Sequence, residues 1–145
     1  MGRCFYCGKE TSDTISFEGI EGIEKKQMVQ YCCSKEHEME IAKFNTFVNQ
    51  NYKKFFAYMI VLSLTIVFTT PIAFFVHNLV FGGFVAVLPI FLMGLVITKY
   101  PFATPQSNNK YGLQKAIKVT KRIGIIFELF AGIVFLLILL IELLL

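Results

Sequence analysis

Two regimes of side-chain patterning divide this chain near residue 54. From Met1 to Lys54 polar and apolar residues are interleaved, whereas from Phe55 onward Phe, Leu, Ile and Val dominate. Within the second regime three stretches are long enough to cross a bilayer, whose hydrocarbon core of about 30 Å needs roughly 20 helical residues. They are Phe55–Val76, Leu79–Thr98 and Ile123–Leu145, and the first two carry no charge at all. A core helix of a soluble protein would be shorter and would show a polar face, so the pattern predicts three transmembrane helices. No leader peptide is expected, because the first apolar run begins only at Phe55. The link between the first two spans is expected at His77–Asn78, with Gly82–Gly83 as the alternative turn. Pro71 and Pro89 are expected to kink their helices. Gly82, Gly83, Ala86, Gly94, Gly124 and Gly132 would let helices approach closely.

The first regime predicts shorter elements. Thr14–Phe17 and Gln27–Cys32 have the composition of two strands around a Gly-containing turn, Glu18–Lys26. Ser34 would open a helix whose Glu36, Glu38 and Glu40 suit the positive end of the helix dipole. Between the second and third spans, Pro101, Pro105 and a Ser-Asn-Asn run mark a turn. From Tyr111 onward Leu113, Ile117, Thr120 and Ile123 fall on one helical face, with Lys115, Lys118, Lys121 and Arg122 on the others. An amphipathic helix of this kind is expected to lie on an anionic leaflet surface. The expected organisation is a module with a helix over 1–54, a transmembrane hairpin over 55–98, a basic connection over 99–122 and a third transmembrane helix over 123–145.

Charge then orients the chain. Of its 14 Lys and Arg residues, eight lie in 1–54 and six in 99–122, with none in the link between the first two spans. The positive-inside rule therefore places the N-terminal module and the basic connection together in the cytoplasm, and the C-terminus outside. The membrane is expected to be the plasma membrane of a prokaryote. Lipids are the first partner implied. The eight basic residues of 1–54 are matched by eight acidic ones, so that module lacks the basic footprint that nucleic-acid binding requires. A protein partner or self-association is the more natural expectation. Glu128, one to two turns into the third span, stands out as an intramembrane carboxylate, by default a candidate functional residue. Otherwise it would bond to a hydroxyl of Ser63, Thr65, Thr69 or Thr70, or pair with Arg122.

All four cysteines fall in the cytoplasmic module, where disulfides are rare and cysteine clusters point to metal or catalysis. Cys4-Phe5-Tyr6-Cys7-Gly8 has the C-x-x-C-G form in which a tight turn aims two thiolates at one ion. Cys33 and His37, four residues apart, would project from one face of a helix near its first turn. Together Cys4, Cys7, Cys33 and His37 make a closed Cys3His set suited to structural Zn2+. Cys32 is a substitute ligand or a small buried residue. With knuckle, hairpin and helix in that order, the module reads as a small treble-clef zinc finger (α+β), followed by an all-α three-helix transmembrane bundle. Some 40 residues cannot build a sufficient core, so a metal would supply most of the folding free energy.

"CFYCGKE" followed by "YCCSKEHEMEIAKF" resembles the TRASH-type and MYM/FCS-type zinc fingers over about Arg3 to Phe44, with His37 standing where their last cysteine would be. The resemblance implies a treble-clef zinc site and a role in metal handling or in protein or nucleic-acid contacts. His in place of Cys makes the donor set slightly harder. No catalytic constellation is legible: there is no nucleophile with a base partner, no phosphate-binding loop and no metal site with a vacant position. The expected function is a non-enzymatic, membrane-anchored zinc-finger adaptor. The alternative is a small oligomeric metal or proton transporter or channel, with Glu128 in its path and the finger as a metal sensor.

Overall fold

The computed structural model describes residues 2–21, 24–76, 78–102, 108 and 111–144. Four short strands precede three long helices: β1 (Gly2–Arg3), β2 (Glu10–Thr11), β3 (Thr14–Glu21), β4 (Glu24–Tyr31), α1 (Lys35–Phe75), α2 (Leu79–Lys99) and α3 (Leu113–Leu144). β1 pairs antiparallel with β2, with Gly2 opposite Thr11. β3 pairs antiparallel with β4, from Thr14 opposite Tyr31 to Glu21 opposite Glu24. The second hairpin is longer than the sequence pattern suggests. Strand pairing takes up most of the expected turn Glu18–Lys26, because each added residue pair satisfies backbone groups that a loose loop would leave to water. His77, Pro105 and Lys110 lie outside the described residues.

All three helices are long and apolar enough to cross a membrane. Helix α1 runs unbroken for 41 residues, about 60 Å at 1.5 Å per residue, so the helix expected after Ser34 and the first long apolar stretch are one element. Lys53 and Lys54 interrupt its apolar pattern but not its backbone, since lysine is a good helix former. Pro71 and Pro89 are accommodated within α1 and α2, each removing one backbone donor. Gly82 and Gly83 also lie inside α2, which starts at Leu79 with the Asn78 side chain accepting from Phe81 N at 2.8 Å. The link therefore falls at 76–78, and an Asn cap holds its exit.

The chain forms two compact units. One comprises 1–53 with 101–120, the other 54–100 with 121–145. In the first, Phe5, Cys32, Ile41 and Leu113 form the buried core, with Tyr6, Ile15, Phe44 and Ile117 packed against it. The edge-to-face pair Phe47–Phe102, with centroids 5.6 Å apart, ties residue 102 to α1. This corrects the expectation for the basic connection: Leu113 and Ile117, the start of its apolar face, lie in and against a protein core and are not left for a leaflet surface. An amphipathic stripe fits either setting, and here the N-terminal module offers the dry surface.

The second unit packs through glycines. A Cβ at Gly82 would come 2.8 Å from Ala73 O, and one at Gly94 would come 2.7 Å from Gly124 O and 2.8 Å from Glu128 Cγ. Gly83 meets Ile138, and Phe84 meets Phe135 edge to face at 5.9 Å. Gly132, by contrast, faces open space. At one end of this unit Tyr100 stacks on Tyr58, with centroids 6.3 Å apart, and meets Phe55 edge to face.

Candidate metal centre

The knuckle is built by backbone geometry. Cys4 N donates to Lys9 O at 2.7 Å and Gly8 N to Cys4 O at 2.8 Å, closing a tight turn. Gly8 has φ 77, a left-handed conformation that side chains resist, so the glycine of C-x-x-C-G is required here. A further bond docks the knuckle on the hairpin, Phe5 N donating to Tyr31 O at 2.8 Å, while Cys32 N donates to Asp13 O at 2.9 Å and closes the open end of the hairpin itself. The second half of the site follows β4. Ser34 caps α1, its Oγ accepting from His37 N at 3.3 Å and its carbonyl from Glu38 N at 3.0 Å. Cys33 therefore precedes the helix and does not share its face with His37, contrary to the sequence expectation. The cap's turn still brings the two together.

Cys4, Cys7, Cys33 and His37 converge, and their ligand atoms all lie within 4.8 Å of one another, so the four could hold a metal ion. Cys33 Sγ is 3.1 Å from His37 Nδ1, Cys7 Sγ is 3.5 Å from Cys33 Sγ, and Cys4 Sγ is 3.8 Å from His37 Nδ1. A tetrahedral ion with metal–sulfur bonds near 2.3 Å requires sulfur–sulfur edges of roughly 3.8 Å, so the pocket has the size of one such ion. All four cysteines are free. The Tyr6 ring lies 4.6 Å from that of His37 and shields one side of the imidazole.

Cys32 stands apart from this cluster. It is buried in the apolar core and its thiol donates to Ser34 O at 3.1 Å. Burial pushes that thiol up, opposed by the backbone N–H of Ser34, and the neighbouring Cys4 adds to the rise. Between the adjacent cysteines, the geometry thus puts Cys33 with the other donors and Cys32 in the core. Cys4 behaves oppositely. Burial acts to raise it, but the N–H groups of Cys7, Cys33 and Tyr6 at its sulfur, joined by the Cys33 thiol, outweigh burial and bring its pKa down to about 6. Cys33 holds its proton, pushed up to about 12, first through its hydrogen bond with Cys7, then through desolvation and the charges of Cys4 and Cys7. Backbone N–H groups thus favour the Cys4 thiolate, while the Cys33 thiol beside it keeps its proton.

Other predicted residues lie elsewhere. Lys115, Lys118, Lys121 and Arg122 are all exposed along the first turns of α3. Glu128 accepts a hydrogen bond from Thr98 Oγ1 at 3.0 Å, across α2 and α3. The hydroxyls of Thr65, Thr69 and Thr70 instead bond back to carbonyls of their own helix, which corrects the partners expected for Glu128.

Sequence reasoning also missed how the segment around 112 meets the knuckle. Leu113 N donates to Phe5 O at 2.7 Å, Gln114 N to Tyr6 O at 3.3 Å, and Gln114 Nε2 to Tyr6 Oη at 2.7 Å. The only signal for it in the sequence was Gly112, a glycine just before an apolar-periodic run. No family model matches this chain, and neither does any curated protein or solved structure, so the reading of the site rests on its own geometry.

Proposed function

We propose that this protein is a membrane-anchored structural zinc protein, non-enzymatic, whose cytoplasmic treble-clef module binds a protein partner or supports self-association. The observation that carries the reading is the convergence of Cys4, Cys7, Cys33 and His37, drawn from a knuckle and a helix start. Three thiols and an imidazole are the donor set of closed structural zinc sites, and among the described residues no further His, Cys, Asp or Glu joins them to form a larger site. Knuckle, hairpin and helix follow in the order of a treble clef. Cys4, Cys7, Cys33 and His37 would hold the ion, which supplies a cross-link between the knuckle and the start of α1. The distribution of basic residues supports an N-terminus in the cytoplasm.

Metal analysis of the purified full chain tests this. About one zinc per chain is expected, and its loss in Cys4→Ser together with loss of the cross-linked partner or oligomer from native membranes. A chain that folds its finger with no bound metal sinks the reading. The transporter alternative draws on Glu128, yet that carboxylate already bonds to Thr98 beside the Gly94–Gly124 contact, as a helix-joining group would. Glu128→Gln in proteoliposomes separates the two: unchanged metal and proton flux supports the adaptor.

A further inference from the structure

We infer that the metal site has a further function: it reports its occupancy to the third membrane helix, because the knuckle that holds two of the ligands is also the N-terminal cap of α3. The inference rests on the metal reading above.

A helix leaves its first four N–H groups without partners inside the helix. At most helix starts a Ser, Thr, Asp or Asn side chain takes one of them. Helix α3 has Gly112 in that position, with φ 80 and its carbonyl accepting from Ala116 N at 3.0 Å. Its first two N–H groups, those of Leu113 and Gln114, go instead to the carbonyls of Phe5 and Tyr6. Phe5 and Tyr6 are the two residues between Cys4 and Cys7. The caps of α3 are therefore the inner carbonyls of the C-x-x-C loop.

The fit is backbone against backbone. A Cβ at Gly112 would come 2.8 Å from Tyr6 O and 2.9 Å from both Cys7 C and Gly8 N, while one at Gly8 would come 3.4 Å from Tyr111 O. Leu113, 1% exposed, then plugs into the core beside Phe5 and Ile41. Moving the knuckle by a fraction of an ångström must move the start of α3, since nothing flexible lies between them. The other two ligands, Cys33 and His37, sit at the start of α1. One ion held by all four fixes the knuckle against α1, and the knuckle in turn caps α3, which continues without a break to Leu144. Release of the ion frees the C-x-x-C loop, withdraws two acceptors from the first turn of α3 and lets that turn fray.

Coupling of this kind is reciprocal, so it can be read from both ends. Hydrogen exchange of the full chain in lipid nanodiscs, zinc-loaded and then stripped by a chelator, reads the first end. The amides of Leu113 and Gln114 are expected to exchange at least about fivefold faster after stripping, the scale of a lost helix cap, while those of α2 between 84 and 92 stay unchanged. Zinc competition with a chelating dye reads the other end. Gly112→Ala, which touches no ligand, is expected to weaken zinc binding at least about fivefold. If that variant does not fold, Gln114→Ala replaces it: it removes one exposed side-chain bond to Tyr6, and about twofold weaker binding is expected. Equal exchange at 113–114 with and without zinc, or equal zinc affinity in the variant that folds, overturns the inference while leaving the metal site standing. A wild-type chain that binds no zinc overturns both.

Discussion

The two compact units solve the same problem, too little core, by opposite means. The unit built from 1–53 and 101–120 is polar and small, and among its described residues the buried cluster is Phe5, Cys32, Ile41 and Leu113, with Cys4, Tyr52 and Ala116 also buried. A core of this size gains from a cross-link that offsets the conformational entropy of ordering the strands and turns. The unit built from 54–100 and 121–145 has apolar surface in excess, yet Phe, Leu and Ile along its helices stay exposed, and none of the most apolar window of α1 is buried in the protein. In lipid, exposed apolar side chains cost nothing and their burial gains little, so helices associate through close backbone contact at Gly82, Gly94 and Gly124. Hydrophobicity therefore marks the core of one unit and the outside of the other.

The sharpest break in that comparison is loss of one donor from the Cys4, Cys7, Cys33 and His37 cluster. Cys4→Ser or chelation is expected to cost the first unit about 10 kcal/mol, the scale of a structural zinc site. Near-ultraviolet circular dichroism should lose the signal of Tyr6 and Tyr31, while most of the helical far-ultraviolet signal remains. The metal-free unit should also titrate in a definite direction. Cys4 is depressed from an ordinary 9.0 to about 6, so its contribution is complete above pH 9 and is lost as pH falls through 6. Cys33 is raised to about 12, so its contribution is present below pH 9 and is lost as pH rises toward 12. Any tertiary near-ultraviolet signal that the stripped protein retains should therefore be largest near pH 9. Zinc affinity should fall as pH drops from 8 to 6, because Cys33 must release its proton to bind.

Leu113→Ala comes next. A fully buried leucine cut to alanine typically costs about 3 kcal/mol. Were residues 113–120 only a leaflet-bound helix, the cost would fall on membrane association and the metal site would be indifferent. Leu113 lies in the core of the first unit, so zinc retention against a chelator and protection of the β3–β4 amides should both drop, with α2 unaffected.

That residue also shows where sequence reading stops. The convergence of Cys4, Cys7, Cys33 and His37 was legible because a donor set for one ion has a spacing that survives without knowledge of the fold, and the three long apolar helices were legible because runs of bilayer length show in composition alone. Leu113 was not, since an apolar stripe on a short basic helix looks the same whether lipid or protein covers it, and its partners Phe5 and Ile41 lie more than 70 residues away along the chain. The continuity of α1 was hidden for a related reason: Lys53 and Lys54 end the apolar pattern without ending the helix. Thr98 was overlooked as the partner of Glu128 because hydroxyl residues in the first span were the more numerous candidates, and each of the three threonines there bonds to its own backbone.

In the second unit the corresponding break is steric. Gly124→Leu places a side chain where Thr98 and the carbonyl of Gly94 already sit, and overpacking of this sort costs about 2 kcal/mol. Introduced cysteine pairs between α2 and α3 should cross-link more slowly in detergent, and zinc content should stay at the wild-type level. Loss of zinc in this variant would mean that the units are not energetically separate.

The smallest effect expected is that of Thr98→Val. The hydroxyl donates to Glu128 at 3.0 Å between helices that already touch backbone to backbone. Intramembrane hydrogen bonds average only about 0.6 kcal/mol, because a polar side chain in the separated helices also finds partners. Here the Gly94 and Gly124 contacts continue to hold α2 and α3 together, so thermal unfolding in detergent should shift by only a few degrees. A loss several times larger would mean that the Thr98–Glu128 bond, and not glycine packing, organises the helix pair. The second unit would then depend, like the first, on one polar cross-link, and the contrast between the two would vanish.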